Sequence, residues 1–222
     1  MPRGAYWDNK GAPYNDSKNV EGKLLEPSPK RVVLDLGCGK NKLPGSIGVD
    51  VAPVEGVDVV ADLNTGLPFK DGTVDAIHCS HILEHVDDFL GLMEEIWRVL
   101  KPGGRAYIRF PHASSPFHTW KDPTHRRPLL LATFRYFDDA TEDGALFGYY
   151  SCARFRICRS KLKFVLGSSR RVGRLSFLRA ILADVLETLA NRSPRAQYLC
   201  ERYWGPLVGI EEAEVVLEAV KG

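Results

Sequence analysis

The stretch at residues 32–50, VVLDLGCGKNKLPGSIGVD, limits the possible folds of this chain more than any other part of the sequence. Its apolar start meets Asp35, Gly37 and Gly39 at once, a pattern typical of a buried parallel strand that ends in a tight turn. The apolar residues that follow predict a second strand with Asp50 at its carboxyl end. Because ligands of open α/β sheets bind at the carboxyl ends of the strands, this stretch predicts such a sheet with a binding site over that edge.

The other periodic segments predict further strands and helices. Strands are predicted at residues 57–61, 75–80, 105–110, 149–166 and 211–220, and helices at residues 86–100, 129–137 and 175–189. Only residues 40–46 separate the glycine turn from the second strand, and they include Pro44 and Gly45, which oppose a helix. We therefore expect the first helix of the sheet to be missing or cut to about one turn.

Several short motifs together resemble the class I S-adenosylmethionine-dependent methyltransferases, and most closely the broad type 11 methyltransferase-domain group. These are D-x-G-x-G at residues 35–39, an acid ending the next strand, ADLN at 61–64, LPF at 67–69, VDAI at 74–77 and LKPGG at 100–104. The resemblance covers residues 30–111 well and the remainder loosely. A dinucleotide site is disfavoured, because the third glycine of G-x-G-x-x-G is replaced by Lys42.

This resemblance implies a Rossmann-like, doubly wound, seven-stranded and mostly parallel sheet, whose last strand is antiparallel and inserted between the fifth and sixth. The length of 222 residues suits one α/β domain at residues 30–222, preceded by an arm at residues 1–29. Insertions are expected at about residues 112–150, after the fifth strand, and 168–210, between the last two strands. The implied cofactor is S-adenosyl-L-methionine, and the implied product is S-adenosyl-L-homocysteine.

The resemblance also assigns a donor site. The residues expected to bind the donor are Asp35, Gly37, Cys38, Gly39, Asp50, Val51, Asp62, Leu63 and Ser80. Asp50 would hold the ribose diol, Asp62 would hydrogen-bond the adenine amino group, and Leu63 would pack on the ring. An alternative for Asp62 is a turn or a helix cap. Lys40 or Lys42 would approach the methionine carboxylate or remain solvated.

The sequence HILEH at residues 81–85 matches the H-x-x-E-H pattern of some zinc peptidases. In those enzymes the residues lie within a helix, whereas this match directly follows a predicted strand. We therefore predict no metal, a packed and hydrogen-bonded His85, and a pocket rim at Ser80 and His81 where acceptor meets donor.

The first insertion is dense in titratable and aromatic side chains. We predict that His118, Trp120, Asp122 and Arg126 bind the acceptor, and that His112 or His125, then His81, serves as the base. The alternative is that Asp122, Thr124 and the neighbouring arginines cap the following helix and form salt bridges. The sequence DPTH resembles a loop of sugar-modifying and natural-product methyltransferases, which favours a small-molecule acceptor of that kind.

Charge is unevenly distributed, although the net charge is only +2. Residues 154–179 contain nine lysines or arginines, and no acid occurs between residues 144 and 183. This stretch predicts a solvated strand face with a core helix, an anionic partner such as RNA, or a helix that dimerises or lies on a membrane. RNA or protein thus remains the second choice of acceptor. A non-catalytic donor-binding subunit is the third hypothesis for the function. Whether the chain forms a homodimer stays open.

Targeting signals are not evident in the sequence. The first thirty residues lack the apolar segment of a secretory signal, and no apolar stretch is long enough to span a bilayer. The five cysteines are odd in number and lack zinc-type spacing, as expected of a reducing compartment. We therefore expect a cytoplasmic protein without structural disulfides.

Overall fold

The computed structural model describes residues 31–164 and 173–222. The predicted arm at residues 1–29 lies outside the described residues, as does the part of the basic stretch at residues 165–172. Everything below refers to the described part of the chain.

Seven strands form one sheet at the centre of the molecule. They are β1 Val33–Leu36, β2 Ile47–Asp50, β3 Val59–Val60, β4 Val74–Ser80, β5 Leu100–Pro111, β6 Phe155–Phe164 and β7 Ile210–Ala219. The order across the sheet is β3-β2-β1-β4-β5-β7-β6. β7 pairs antiparallel with β5 and β6, and the other pairs are parallel. The predicted topology is therefore confirmed, including the insertion of the last strand between β5 and β6.

Helices follow β4, β5 and β6. They are α1 Phe89–Val99, α2 Pro116–Trp120, α3 Glu142–Phe147, α4 Gly173–Ala190, α5 Pro194–Leu199 and α6 Gly205–Val208. Two 3-10 helices, Leu131–Phe137 and Gly148–Tyr150, and a π-helical turn, Cys200–Trp204, join them. The helix predicted at residues 129–137 is thus a shorter 3-10 helix. Among these described helices, none combines the length and apolar character required to cross a membrane.

α1 is an amphipathic helix that covers the sheet next to β4 and β5. Asp88 caps it by accepting a hydrogen bond from Gly91 N at 2.8 Å, which explains why it begins three residues later than its apolar pattern predicts. Its buried side chains recur every three or four residues and are Phe89, Leu92, Met93, Ile96 and Val99.

The connection between β1 and β2 contains turns instead of a helix, as predicted. Leu43 N donates to Asp35 Oδ2 at 2.7 Å, and Ser46 N donates to Leu43 O at 3.1 Å. Gly45 has a φ of +75°. The first helix is replaced by turns because proline and a left-handed glycine interrupt the segment.

The first insertion belongs to the hydrophobic core. The rings of Phe110 on β5 and Phe134 lie 5.2 Å apart, and Phe137 packs 6.3 Å from Phe155 of β6. All four side chains are fully buried. The insertion also contacts the turn after β4, because Arg126 N donates to Glu84 O at 2.7 Å.

Candidate functional site

Asp50 joins the two loops that follow β1 and β2. Its Oδ2 accepts a hydrogen bond from Gly39 N at 2.9 Å, and its Oδ1 accepts one from Ala52 N at 2.9 Å. Each carboxylate oxygen retains a second acceptor position, so a diol can still bind across both. Val51 follows with 51% of its surface exposed, on the same edge.

Two glycines shape the loop after β1. Gly37 has a φ of +69° and Gly39 a φ of +50°, a conformation that other residues rarely adopt. A Cβ at Gly37 would lie 2.6 Å from the side chain of Ile82, which belongs to the turn after β4. The glycine loop and that turn are therefore in close contact, and only glycine fits between them.

Asp35, near the end of β1, and Cys38, within the loop, are both buried. Asp35 is 4% exposed, and its two oxygens contact Leu43 N and His78 Nδ1, each at 2.7 Å. Burial, followed by Asp35 and Asp50, raises the pKa of the Cys38 thiol to about 11, so it remains a neutral thiol at pH 7. Lys42 Nζ donates to Asp58 Oδ2 at 2.7 Å, so this lysine forms an ion pair within the protein.

Asp62 and Leu63 follow β3 in different environments. Asp62 is exposed, and its Oδ1 accepts hydrogen bonds from Asn64 N at 2.9 Å and Asn64 Nδ2 at 3.0 Å. This is the turn geometry that the sequence offered as the alternative to adenine binding. Leu63 is 7% exposed and belongs to the hydrophobic core. Their assignment to the adenine remains a prediction.

His81 follows Ser80 at the end of β4 and has an unusual backbone with a φ of 53°. Its Nε2 lies 2.7 Å from Glu212 Oε1, and its Nδ1 lies 3.4 Å from Glu84 Oε1. Burial opposes the charged form, but the two carboxylates outweigh it and raise the pKa of His81 above 6.5. The raised pKa favours the protonated form of His81, which argues against its predicted role as a base.

Glu212 on β7 is the acidic partner of His81. Burial alone would raise the pKa of this side chain, but His81, Arg109 and Lys163 together lower it to about 2. Arg109 Nε lies 3.6 Å away and Lys163 Nζ 3.7 Å away. Glu212 could not be recognised from the sequence, because it stands 131 residues from His81 and the alternation of apolar and polar residues in β7 gives no indication of its partner.

His112 is fully buried and connects the two insertions. Its Nε2 contacts Glu201 Oε1 at 2.9 Å and its Nδ1 contacts Ser114 Oγ at 2.9 Å. Glu201 also accepts hydrogen bonds from Leu131 N at 2.7 Å and Ala132 N at 3.2 Å. A side chain with no exposed surface reaches no acceptor in this conformation, so the structure favours a structural role over the predicted one as a base.

α2 places aromatic and basic groups at the carboxyl edge of the sheet. Phe117 and Trp120 are 69% and 56% exposed, and His118 lies between them with its side chain 20% exposed. Burial is the largest cause that lowers the pKa of His118 below 6.5. His118 is therefore neutral at pH 7 and can accept a proton.

The other predicted acceptor-binding residues form the turn after α2. Asp122 Oδ1 accepts hydrogen bonds from Thr124 N at 2.8 Å and Thr124 Oγ1 at 2.6 Å. Arg126 Nε lies 3.0 Å from Asp87 Oδ1 on the surface. His125 packs edge-on against His85, with ring centroids 4.6 Å apart. The turn thus contains the capping and ion-pair contacts of the alternative interpretation, while acceptor binding stays a prediction.

Acidic partners accompany the basic stretch where its side chains are described. Arg154 lies 3.1 Å from Asp139, Lys161 lies 2.8 Å from Glu187, Arg156 pairs with Glu218, and Lys163 pairs with Glu214. These pairs reduce the positive field that would attract RNA, and they favour the interpretation as a solvated strand face.

Comparisons with known proteins agree with this arrangement. A family model described as a methyltransferase domain matches residues 15–149, more than half of the chain. A demethylmenaquinone methyltransferase from Streptomyces avermitilis is 35% identical over 116 residues, which cover 44% of this chain and 50% of the relative. A ubiquinone/menaquinone biosynthesis C-methyltransferase, UbiE, from Desulfotalea psychrophila is 46% identical over 52 residues, which cover 23% of this chain and 21% of the relative. The chain therefore spans half or less of the length of these relatives.

The same fold occurs in solved structures. A SAM-dependent methyltransferase from Archaeoglobus fulgidus superposes with a TM-score of 0.54 at 17% sequence identity, covering 85% of this chain and 86% of that chain. At this identity the similarity shows the fold alone.

Proposed function

We propose that this chain, which belongs to the methyltransferase-domain family, transfers the methyl group of S-adenosyl-L-methionine to a small-molecule acceptor. Family membership follows from the match over residues 15–149 together with the sheet order β3-β2-β1-β4-β5-β7-β6. The class I S-adenosylmethionine-dependent fold expected from the sequence is confirmed. The acceptor and the roles of individual side chains are the proposed part.

The observation that carries the proposal is the carboxylate of Asp50. It lies at the carboxyl end of β2 and receives Gly39 N of the adjacent glycine loop, so both sides of the donor site are held together before any ligand arrives. A ribose diol that donates two hydrogen bonds to this carboxylate would gain roughly 1.5 to 3 kcal/mol from each. A Cβ added at the left-handed Gly39 would meet nothing within 4 Å, so this part of the loop leaves room for the amino-acid tail of the donor.

A small-molecule acceptor is supported by the exposed aromatic side chains of α2. Phe117 and Trp120 offer apolar surface beside His118, at the sheet edge that also carries Asp50. Two relatives are named for methylation of quinone precursors or quinone biosynthesis, which are small molecules. Sugars and natural products, which the sequence DPTH favours, are the other small-molecule acceptors that we propose.

His118 is the side chain we propose as base, in place of the three histidines favoured by the sequence. Methyl transfer from a sulfonium is an in-line displacement, so the protein mainly aligns the nucleophile and excludes water. A base adds to the rate where the acceptor is a hydroxyl or an amine. His118 combines partial exposure with a lowered pKa, whereas the pKa of His81 is raised and His112 is buried.

Calorimetric titration with S-adenosyl-L-homocysteine tests the donor site. Asp50→Asn should weaken binding by about tenfold to a hundredfold, because one charged acceptor of the diol is lost. Glu55→Gln is the matched control, since Glu55 is an exposed acid in the loop after β2 and should leave affinity unchanged. Equal affinity of the two variants would contradict the role of Asp50.

A broad panel of acceptors then distinguishes the enzyme from a donor-binding subunit. Methylation of a small molecule by the wild-type chain supports the proposal. Retained affinity for S-adenosyl-L-homocysteine without turnover on any small molecule would instead favour the non-catalytic subunit, and turnover on RNA would favour the polymer alternative.

A further inference from the structure

We propose that Glu84, His85 and His125 form a binding site for a divalent first-row transition ion such as Zn²⁺. Each of the three residues offers one ligand atom, and these atoms all lie within 4.8 Å of one another. Two imidazoles and one carboxylate form a ligand set that such ions prefer. In a tetrahedral site, ligand atoms about 2.0–2.2 Å from the ion lie about 3.3–3.6 Å from one another, so inward shifts of about 1 Å close the site.

The strongest indication is the state of Glu84. This side chain is 1% exposed, and neither of its carboxyl oxygens accepts a hydrogen bond in the structure. Oε1 forms one long ion pair, with His81 Nδ1 at 3.4 Å. A buried carboxylate that accepts no hydrogen bond costs about 1–3 kcal/mol or more, and Oε2 has neither a hydrogen bond nor an ion pair, so its burial requires an explanation. A cation held against these oxygens supplies one.

The hydrogen bonds around the two imidazoles orient them as ligands. The hydroxyl of Thr124 donates to Asp122 Oδ1 at 2.6 Å, so toward His85 Nδ1, 2.9 Å away, it acts as an acceptor. His125 Nδ1 lies 2.5 Å from the carbonyl oxygen of Thr119, which can only accept. Both rings therefore carry their proton on Nδ1, and the lone pair on Nε2 remains for a metal. Second-shell partners of this kind commonly fix the tautomer of metal-binding histidines.

The two segments that carry the ligands are fastened to each other. Arg126 N donates to Glu84 O at 2.7 Å, and Arg127 Nη2 donates to the carbonyl oxygens of Val86 at 3.0 Å and Asp87 at 2.6 Å. His125 is thereby held beside His85 before any ion binds. This preorganisation lowers the entropic cost of assembling the site.

This ligand set differs from the zinc-peptidase pattern considered in the sequence. HILEH does not form a helix, and His81 turns its Nε2 to Glu212. The third ligand comes instead from His125, 40 positions beyond His85, in the loop after α2. The sequence prediction of no metal rested on the missing helix and did not consider this loop.

An ion at this site would keep one coordination position for water or for an acceptor oxygen, because the protein supplies three ligands. This consequence rests on the proposed function, since it assumes an acceptor that approaches over α2. A metal lowers the pKa of a bound hydroxyl and would make it a better nucleophile for methyl transfer. Binding of the ion itself needs neither donor nor acceptor.

Titration of the tag-free, chelator-treated full chain with Zn²⁺ alone, followed by calorimetry, tests the site. We expect one equivalent to bind, with a loss of at least about a hundredfold in affinity for Glu84→Gln and His125→Asn. Thr124→Val is a milder variant at an exposed position, and it should weaken binding about tenfold to a hundredfold by releasing the orientation of His85. His118→Asn, another histidine of the same insertion, is the control and should leave the affinity for Zn²⁺ unchanged.

Titration with Co²⁺ identifies the donor atoms, because the exposed Cys152 and Cys158 offer a competing set. The proposed site predicts d–d absorption without a thiolate charge-transfer band. Failure to bind either ion, a thiolate band, or affinity unchanged in both His125→Asn and Thr124→Val would each overturn the proposal. Since S-adenosyl-L-homocysteine is absent from these titrations, their outcome is independent of the donor-binding test.

Discussion

Replacement of Glu212 by glutamine should lower stability in a defined pH range. The pKa of Glu212 lies at about 2, compared with an ordinary value of 4.5. Because one pH unit corresponds to about 1.36 kcal/mol, this difference amounts to a contribution on the order of 3 kcal/mol. Since the folded-state pKa is lowered, the contribution is present above about pH 4.5 and is lost as pH falls toward about 2.

The partner of Glu212 sets the upper limit of this range. The pKa of His81 is raised above 6.5, so its contribution is complete below about pH 6.5 and is lost as pH rises through the folded-state pKa. The stability difference between wild type and Glu212→Gln should therefore be largest between about pH 4.5 and 6.5 and decrease on both sides. Denaturation in urea, followed at pH intervals from about 3 to 9, measures this difference.

Glu211→Gln provides the matched control for this experiment. Glu211 is adjacent in sequence, its side chain is 21% exposed, and its Oε1 lies 4.0 Å from His118 Nε2. Weak or screened ion pairs of this kind contribute roughly 0–1 kcal/mol. A Glu212→Gln effect that is independent of pH, or no larger than that of Glu211→Gln, would refute the reasoning.

Two further predictions concern the insertions. Glu201→Ala removes the acceptor of His112, Leu131 N and Ala132 N, and should destabilise the fold by about 3 kcal/mol in urea denaturation; Glu201→Gln, which keeps one acceptor oxygen, should lose less. A cost below about 1 kcal/mol for the alanine variant would contradict the structural role of this carboxylate. His118→Asn should lower turnover by about 10² or more with unchanged affinity for S-adenosyl-L-homocysteine. The wild-type rate should rise with pH through a pKa below 6.5 and that rise should vanish in the variant, whereas an unaltered pH–rate profile would exclude His118 as the base.

The donor half of the fold could be predicted from sequence because its signals are local. The glycine turn, the acid at the end of β2 and the shortened connection through Pro44 each depend on residues within about a dozen positions of one another. The strand order followed from the resemblance, and the structure confirms it. The predicted ends of helices were less accurate where a capping residue sets the first residue, as Asp88 does for α1.

The histidine-rich side of the candidate site was harder to predict because its determinants are far apart in sequence. The position of His112 after β5 made it a candidate base in the sequence. Only the fold shows that His112 is fully buried and paired with Glu201, 89 residues away. His81 likewise appeared free to act as a base until Glu212 was placed beside it. A histidine-rich loop indicates a site, but the partner of each imidazole decides which one can accept a proton.

Three acidic residues give different chemistry to four histidines that look alike in the sequence. Glu212 raises the pKa of His81, Glu201 pairs with the buried His112, and Glu84 lies beside His85 and His125. Each acid is supplied by a different element: Glu212 by β7, Glu201 by the π-helical turn and Glu84 by the turn after β4. The second insertion therefore acts on the candidate site indirectly, because it supplies Glu201 and thereby holds the start of the loop that carries His118 and His125 over the donor edge.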